Sequence, residues 1–320
     1  MIDRLTRGLV NRGHDVTLFA SGDSDTPARL HAVVPRATQD DLSSDLYLEK
    51  EYDVRNVAEA YAHADHFDLF HAHWPTPAPY FSDRTGRPSL LTCDYIRKPL
   101  FDYYRSRYPG LRFACVSRAQ AELLGQDLPV IHNGVDVEAI PFGARPEDFL
   151  LSVGRLVPTK GADMAIRVAR RLGRPLVLVG DVSPYITGSR HFYEEQVLPF
   201  VDGVSVRHIP RLANDQVLAL MSRAAAFLFP ISWEEPFGLV VAEAMAAGTP
   251  VVATPRGSMP ELVEPGLTGF LGTTEEELAD AVERASRLNR RACRRRACER
   301  FGIDQMVSAY EQLYEEIVCS

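Results

Sequence analysis

The regular alternation of short β-rich runs with segments of helical periodicity is the feature of this 320-residue sequence that most constrains its fold. Apolar runs such as 149–153 and 226–229 are separated by helical segments such as 162–172. Parallel strands need long crossover connections, and these connections are usually helices. The alternation therefore predicts an α/β fold of β–α–β units, with doubly wound parallel sheets.

The predicted elements form two series, separated by a stretch rich in turn-forming residues at 133–146. The first series contains strands at 15–20, 30–34, 69–72, 89–92, 113–116 and 130–132, and helices at 2–11, 52–65, 99–106 and 117–124. The second contains strands at 149–153, 175–179, 204–208, 226–229 and 251–254, helices at 162–172, 215–223 and 239–247, and a helical tail at 275–288, 289–300 and 304–318. At about 150 residues per domain, the chain has room for two domains. We predict domains at 1–140 and 141–300, and a C-terminal helix within 301–320 that packs back toward the first domain.

Composition and charge argue against several classes of protein. Acidic residues outnumber basic residues by 43 to 35, and the net charge of −8 argues against a general nucleic-acid binder. The longest apolar runs, such as 224–231, are about eight residues long, whereas a membrane-spanning helix needs about 20. Residues 1–13 contain no signal-peptide core. We therefore expect a cytoplasmic protein without a transmembrane segment, and a peripheral membrane contact stays open.

No metal site is predicted. The five cysteines are odd in number, widely spread and without a Cys-x-x-Cys pair, which favours neither a disulfide framework nor a zinc site. His71 and His73 are two residues apart on a strand and point the same way, but no carboxylate or cysteine stands at ligand spacing. The alternative to a metal pair is one core histidine and one exposed loop histidine.

An arginine-rich run at helical spacing is a further candidate binding surface. Its members are Arg287, Arg290, Arg291, Arg294, Arg295, Arg296 and Arg300. Such a run is compatible with RNA or anionic lipid. Because the net charge of the chain is −8, we interpret the run as a solvated helix face.

Glycine, arginine and carboxylate residues follow the strands of the second series. In open parallel sheets, ligands bind beyond the carboxyl ends of the strands. These ends carry 154–155, 180–181, the loop 230–238 and 255–258. Arg155 and Lys160 flank one strand end and are two cations suited to a diphosphate, although both would also be ordinary solvated side chains beside a loop. Neither a Gly-x-Gly-x-x-Gly nor a P-loop motif is present, which argues against a nicotinamide dehydrogenase and a P-loop kinase.

An almost wholly apolar helix is predicted within the segment 233–250. Its composition indicates burial, yet it contains Glu243, and a buried carboxylate is costly unless a donor satisfies it. Hydroxyl groups of a ribose or another sugar are suitable donors, and an internal arginine is the alternative. The N–H groups near Gly238 and Leu239, at the start of this helix, favour a phosphate.

These motifs resemble the family 4 retaining glycosyltransferases of GT-B fold. The resemblance is carried by Gly154-Arg155, Lys160-Gly161, the turn Pro236-Phe237-Gly238-Leu239, and the pair Glu235 and Glu243, which seven residues separate. The segments 12–24, 133–136 and 233–236 are further similar to the subgroup typified by the avilamycin antibiotic-pathway transferases. The resemblance covers nearly the whole chain. It implies two Rossmann-like domains facing a cleft, with the nucleotide-sugar donor in 141–300 and the acceptor in 1–140.

The resemblance also implies roles for individual residues. Arg155 and Lys160 hold the donor diphosphate, Glu243 contacts the ribose, and Glu235 contacts the transferred sugar. His73 contacts that sugar near its anomeric carbon. The residues implied in donor binding are Gly154, Arg155, Lys160, Gly238, Leu239 and Glu243. The residues implied in catalysis, without a metal or a cofactor, are Glu235, His73, Arg155 and Lys160.

Two departures from the family pattern affect the first domain. Relatives begin with a strand and a Gly-Gly loop, whereas this sequence begins within the helix that follows them. We therefore expect exposed edges at the strands 16–19 and 69–72, a marginally stable first domain, weak or absent catalysis, and a true start further upstream. Cys93-Asp94-Tyr95 stands where relatives often carry Thr-x-x-His-Gly, so Asp94 and Tyr95 are the candidates for the acceptor side.

The predicted activity is that of a hexosyl or other glycosyl transferase. A sugar moves, with retention of configuration, from a nucleotide-sugar to a hydroxyl group of a small-molecule, saccharide or natural-product acceptor. A retaining glycoside hydrolase needs its carboxylates about 5 to 5.5 Å apart, whereas eight residues along a helix would separate Glu235 from Glu243 by roughly 12 Å. The alternative function is a catalytically weak or inactive nucleotide-sugar-binding protein, which a missing N-terminal loop would explain.

Overall fold

The computed structural model describes residues 1–37, 46–73, 77–94, 96–125, 127–184 and 186–319. The chain divides into two compact units: residues 1–134 together with 303–320, and residues 135–302. The named strands of both units pair in parallel. This confirms the predicted α/β class with parallel sheets.

The first unit begins with a helix and continues with strands and helices in alternation. Its elements up to residue 134 are α1 (Ile2–Asn11), β1 (Thr17–Ala20), β2 (Arg29–Ala32), α2 (Leu46–Ala62), β3 (Phe70–Ala72), β4 (Ser89–Cys93), α3 (Lys98–Arg107), β5 (Leu111–Cys115) and α4 (Arg118–Leu124). The strands form two separate sheets, β1–β2 and β3–β4–β5. Among the described residues, no strand is hydrogen-bonded to both β1 and β3, so each of these strands has one neighbour.

The second unit contains a single six-stranded sheet with helices between its strands. Its elements are β6 (Leu150–Val153), α5 (Ala162–Leu172), β7 (Leu176–Val179), α6 (Ser189–Phe192), β8 (Val206–Ile209), α7 (Asn214–Arg223), β9 (Ala226–Phe229), α8 (Leu239–Ala246), β10 (Val251–Ala253), α9 (Met259–Leu262), β11 (Gly269–Leu271), α10 (Glu275–Ala285) and α11 (Arg290–Phe301). The strands lie in the order β8–β7–β6–β9–β10–β11. This is the doubly wound order, and it reverses between β6 and β9, where such sheets bind ligands at their carboxyl edge.

The burial pattern explains why these segments fold as they do. Every residue of β7, Leu-Val-Leu-Val, and of β9, Ala-Phe-Leu-Phe, is buried. Strands covered by helices on both faces are apolar throughout, which is why their sequences do not alternate. Helix α5 shows the complementary pattern, because it buries Ala165, Ile166 and Ala169 and exposes Arg167 and Arg170. The core of the second unit therefore lies between the sheet and its helices.

The last helix, α12 (Ile303–Val318), belongs to the first unit. Its residues Met306, Val307 and Tyr310 share one buried cluster with Leu5 and Leu9 of α1. Helices α1 and α12 thus contribute to the same hydrophobic cluster of the first unit. No helix in the described ranges, α12 included, is long and apolar enough to cross a membrane.

Two strands differ from the sequence-based prediction. The segment 130–132 pairs through one isolated bridge only, between Val130 and Cys115, and is not a strand. Strand β11 is not predicted from the sequence, because it is an edge strand of three residues that begins with Gly269. A run this short shows no periodicity.

Part of the arginine-rich run is not a solvated helix face, contrary to the prediction, whereas Arg287, Arg291 and Arg295 are exposed as predicted. Arg290 is 8% exposed, and its guanidinium donates to the carbonyls of Ser222 and Ala224, at 2.8 and 2.9 Å. Arg294 and Arg300 likewise donate to backbone carbonyls. Burial lowers the pKa of Arg290 to about 10. Carbonyl groups at helix and strand ends need donors, and these arginines supply them within the second unit.

Candidate active site

The loops that follow β6 and β9 meet at the carboxyl edge of the second sheet. Gly161, which ends the first loop, has φ +73°, and a Cβ there would lie 2.0 Å from the carbonyl oxygen of Pro230. Only glycine permits both this φ and this close approach. The Ser232 N–H donates to the Thr159 carbonyl at 3.0 Å, which joins the loops a second time. Lys160 is therefore placed directly beside the loop after β9.

Lys160 forms an ion pair with Glu235 of that loop. Nζ of Lys160 lies 2.5 Å from Oε2 of Glu235, and the two side chains are 16% and 13% exposed. The ammonium also lies 4.7 Å from the ring centre of Trp233 and 5.4 Å from that of Phe229. Aromatic faces attract cations. The rings and the carboxylate together hold a positive charge at the edge of the sheet.

The loop after β10 fixes the backbone around Glu235. The Ser258 N–H donates to the Glu235 carbonyl at 2.9 Å, and the Gly257 N–H donates to Oε2 of Glu234 at 2.6 Å. Gly257 has φ +54°, and a Cβ there would lie 2.3 Å from both the N and the O of Glu235. The two backbones are thus in contact, and the Glu235 carboxylate projects from a braced loop.

Helix α8 begins just after this loop. Its N-cap, Gly238, has φ +85°. The N–H groups of Leu239 and Val240 have no hydrogen-bond acceptor among the described residues. Such groups at the positive end of a helix dipole favour an anion. Glu243, in the second turn of the same helix, is 7% exposed.

The predicted separation of Glu235 from Glu243 has a wrong premise. The estimate of roughly 12 Å assumes a helix between the two residues. Helix α8 begins only at Leu239, so Glu235 lies in the preceding loop. The distance between the two carboxylates is therefore not set by helix geometry, and it no longer excludes a glycoside hydrolase.

Gly154 and Arg155 lie on the same loop as Lys160. The Gly154 N–H donates to the Val179 carbonyl at 2.9 Å, and the stem carbons of Lys160 lie 3.9 Å from where a Cβ on Gly154 would be. The Arg155 guanidinium is exposed, and no hydrogen bond or ion pair holds it within the described part of the chain. One short loop thus presents a glycine, a fixed cation and a solvated cation.

His71, in β3 of the first unit, uses both ring nitrogens within the protein. Nδ1 lies 2.6 Å from the Tyr314 hydroxyl, and Nε2 lies 2.7 Å from Oγ1 of Thr92. Both nitrogens are thus engaged within the protein, and this arrangement does not favour a metal pair with His73. Over the described ranges, no group of three His, Cys, Asp or Glu side chains is arranged to hold a metal ion.

His73 directly follows β3, and its ring centre lies 4.1 Å from that of His71. It is not an exposed loop residue, so that alternative is wrong. Burial lowers the pKa of His73 to about 3, and the imidazole is therefore neutral. Its Nδ1 is buried and has no hydrogen-bond partner among the described residues. A neutral ring with a free nitrogen offers a hydrogen bond to a ligand.

Asp94 directly follows β4 and is half-buried. Burial raises the pKa of Asp94 to about 6, and a hydrogen bond with the Asn133 side chain opposes part of that rise. Tyr95, the other residue predicted for the acceptor side, lies outside the described residues.

The residues that support the ion pair lie within segments named from the sequence, 226–229, 233–250 and 255–258, but their support of the pair was not predicted. Phe229 and Trp233 surround the ammonium, and Gly257 and Ser258 brace the carboxylate. The tryptophan two residues before Glu235 was the available indication, because exposed loops rarely carry that residue type without a contact.

Two family models match the chain. The model described as "Glycosyl transferases group 1" matches residues 141–303, and the model described as "Glycosyltransferase Family 4" matches residues 1–139. The D-inositol 3-phosphate glycosyltransferase of Mycobacterium tuberculosis is 34% identical over 179 residues, which are 50% of this chain and 36% of that protein. The match thus spans about a third of the length of this curated relative.

Several solved structures share the fold. AviGT4, a glycosyltransferase involved in avilamycin A biosynthesis, is 26% identical with a TM-score of 0.75, over 99% of this chain and 89% of that one. HepE of Anabaena, solved with UDP and glucose, is 20% identical with a TM-score of 0.72, over 98% and 95% of the two chains. These matches confirm the predicted GT-B fold. Because the group 1 model covers half of the sequence and the family 4 model covers most of the rest, this chain belongs to the group 1 glycosyl transferases.

Proposed function

We propose that the chain is a retaining glycosyltransferase that binds a nucleotide-sugar donor at the carboxyl edge of the second unit's sheet. The observation that carries the proposal is the Lys160–Glu235 pair, close in sequence to the first N–H groups of α8, which have no acceptor in the part of the chain that the structure describes. It offers positive charge for a diphosphate together with a carboxylate for sugar hydroxyls. HepE, which has the same fold, was solved with UDP and glucose, and this supports the proposed class of donor.

In this proposal, cations and backbone N–H groups bind the diphosphate. Arg155 and Lys160 supply the positive charge, and the N–H of Leu239 donates a hydrogen bond. Gly154 and Gly238 have no side chains, so a phosphate can approach the backbone closely. These five residues form the proposed diphosphate site.

Carboxylates and a neutral imidazole bind the two sugars of the donor. Glu243 accepts hydrogen bonds from the ribose hydroxyls, and Glu235 accepts them from the transferred sugar. The first unit supplies His73, whose free Nδ1 forms a hydrogen bond near the anomeric carbon. Acidic acceptors are suited to this task because hydrogen bonds to charged groups are the stronger kind.

During transfer, the bond between the anomeric carbon and the diphosphate oxygen breaks. The acceptor oxygen forms a new bond to the same face of that carbon, and the acceptor's hydroxyl proton passes to the departing diphosphate. Arg155, Lys160 and the helix N-terminus stabilise the negative charge that develops on the diphosphate. The proposed step needs no metal ion or cofactor, because these groups supply the positive charge.

The proposed acceptor is a hydroxyl group of a small molecule, a saccharide or a natural product, with Asp94 and Tyr95 on the acceptor side. The likeness to AviGT4, named for its involvement in avilamycin A biosynthesis, favours a role in natural-product biosynthesis. The net charge of −8 favours the absence of a nucleic-acid partner. We also propose that the activity lies in the cytoplasm.

A thermal-shift screen of UDP-, dTDP- and GDP-sugars, followed by a transfer assay, tests the proposal. A ligand that binds only the folded state stabilises it by about 2.7 kcal/mol at a hundredfold excess over Kd. We expect one donor to raise the melting temperature and to release its nucleoside diphosphate when an acceptor is present. Retention is checked by the anomeric configuration of the product. A screen without any shift or transfer would refute the proposal.

A nucleotide-sugar-binding protein without turnover is the second candidate. The observation that favours it is the division of the first unit's strands into two sheets, because that unit holds the proposed acceptor residues. A melting shift with a donor, without release of nucleoside diphosphate in the presence of any acceptor, would support this candidate over the enzyme.

A further inference from the structure

We infer that Glu235 discriminates between the sugar-loaded donor and the spent nucleoside diphosphate, because its carboxylate competes with the diphosphate for the ammonium of Lys160. The inference rests on the proposed function of this site. It adds a role in product release to the contact with the transferred sugar.

The competition follows from how close the pair is. Nζ of Lys160 and Oε2 of Glu235 are 2.5 Å apart, and both side chains are largely withdrawn from solvent. Salt and water screen such charges poorly. A diphosphate that reaches this ammonium must therefore approach a carboxylate that is already in contact with it, and the two anions repel each other.

Neighbouring groups limit how far either partner can withdraw. The Lys160 ammonium lies against the rings of Trp233 and Phe229, at 4.7 and 5.4 Å. The Glu235 backbone is held by the Ser258 N–H at 2.9 Å. We therefore expect the carboxylate to stay close to the ammonium when a nucleotide binds.

The sugar of the donor determines whether this repulsion is compensated. In the intact donor, sugar hydroxyls donate hydrogen bonds to Glu235, and these bonds are strong because the acceptor is charged. After transfer the sugar is gone, and the diphosphate faces the carboxylate without that compensation. Glu235 thus favours binding of the loaded donor and weakens binding of the product.

Calorimetric titrations of matched variants test the inference. UDP, dTDP, GDP and the glucose conjugate of each are titrated separately into the wild-type protein. The nucleoside diphosphate and conjugate that bind most tightly are then used for all variants. Glu235→Gln keeps the size of the side chain and removes its charge. We expect the diphosphate to bind this variant about five- to tenfold more tightly and the glucose conjugate to bind it more weakly.

Two further variants serve as controls. Glu235→Asp keeps the charge and shortens the side chain, so the diphosphate should bind it about as it binds the wild type. Glu264→Gln removes the same charge from an ion pair with Arg296, 2.8 Å long and outside the proposed site. It should change neither titration. If Glu235→Gln fails to fold, as judged by its thermal melt, Glu235→Ala is the second neutral variant.

The outcomes separate the inference from the function on which it rests. Unchanged or weaker diphosphate binding by the neutral variants overturns the inference and leaves the donor site standing. No binding of any nucleotide or conjugate by the wild type overturns the proposed function, and the inference with it. The gain in affinity should persist as salt is raised, because added ions screen charges that are withdrawn from solvent poorly. A gain that disappears in moderate salt would contradict a repulsion inside the site.

Discussion

Replacement of Lys160 by methionine is the most direct test of the proposed donor site. The substitution removes the ammonium and keeps an unbranched stem against the rings of Phe229 and Trp233. A hydrogen bond to a charged group contributes about 1.5–3 kcal/mol. We therefore expect the affinity for the nucleoside diphosphate to fall about 10- to 150-fold. The affinity for the nucleoside alone should change little, because a nucleoside has no phosphate to contact this position.

The same substitution should lower stability through the partner that it leaves behind. Glu235 is 13% exposed, and Lys160→Met removes the ammonium with which it is paired. A buried polar group without its partner costs about 1–3 kcal/mol, so we expect a loss of that size in the free energy of unfolding. Adding Glu235→Gln should restore most of the loss, because removing both partners of a buried pair is nearly neutral. Arg155→Met is the matched control. The exposed Arg155 guanidinium has no partner among the described residues, so its removal leaves no buried group unpaired.

Calorimetry with nucleoside and nucleoside diphosphate, together with urea denaturation, measures both effects. Arg155→Met should weaken diphosphate binding and leave the urea midpoint unchanged. Equal losses of affinity for the nucleoside and its diphosphate would refute the assignment of Lys160 to the diphosphate. If the Lys160→Met variant is as stable as the wild type, the unpaired Glu235 carboxylate does not lower the free energy of unfolding as proposed.

Three further substitutions address the ribose contact, the buried arginine and the acceptor side. Glu243→Gln is nearly isosteric and should weaken binding of nucleoside and nucleoside diphosphate alike, because its proposed partner is the ribose; unchanged nucleoside affinity in calorimetry would contradict that role. Arg290→Met should lower the free energy of unfolding in urea by about 3 kcal/mol, because buried acceptors lose their donor. Arg291→Met, at the exposed neighbouring position, should have little effect. Burial raises the pKa of Asp94 in the folded state to about 6, whereas the pKa in the unfolded state is about 3.9. The folded protein therefore holds the Asp94 proton more tightly, and this stabilises it by about 2–3 kcal/mol below about pH 3.9. The stabilisation is lost as the pH rises through about 6. Asp94→Asn should therefore gain stability over the wild type between about pH 4 and pH 7, and parallel curves of unfolding free energy against pH would contradict this.

The second sheet was predictable because its strands and helices carry strong local patterns. Strands β7 and β9 are continuous apolar runs, as expected for strands that helices cover on both faces. Helix α5 has the predicted bounds, Ala162–Leu172, because glycines in the left-handed conformation, Gly161 and Gly173, stand at its two ends. Where local conformation and burial agree in this way, the sequence alone determines the element.

The differences arise where a long-range contact decides the structure. Strand β11 exists because Gly269 approaches the backbone of Val251, where a Cβ would lie 1.9 Å from the carbonyl oxygen. The segment 130–132 has the composition of a strand, but it meets β5 through one bridge only. Neither outcome has a local sequence pattern, because both depend on which neighbour lies within hydrogen-bonding distance.

The contacts of charged residues in the second unit, including those in the candidate site, were likewise not predictable from local sequence patterns. The net charge of the chain led us to interpret Arg290 as part of a solvated helix face, and a solvated side chain beside a loop was the alternative for Lys160. Arg290 is buried because carbonyls far away in sequence need its donors, and Lys160 is paired with a carboxylate 75 residues away because Gly161 lets two loops touch. The residue types at the proposed donor edge were therefore predictable, whereas their pairing was not. In the proposed loaded site that pairing gives Glu235 two partners at once, the ammonium and the sugar, and a motif that lists single residues cannot express this combination.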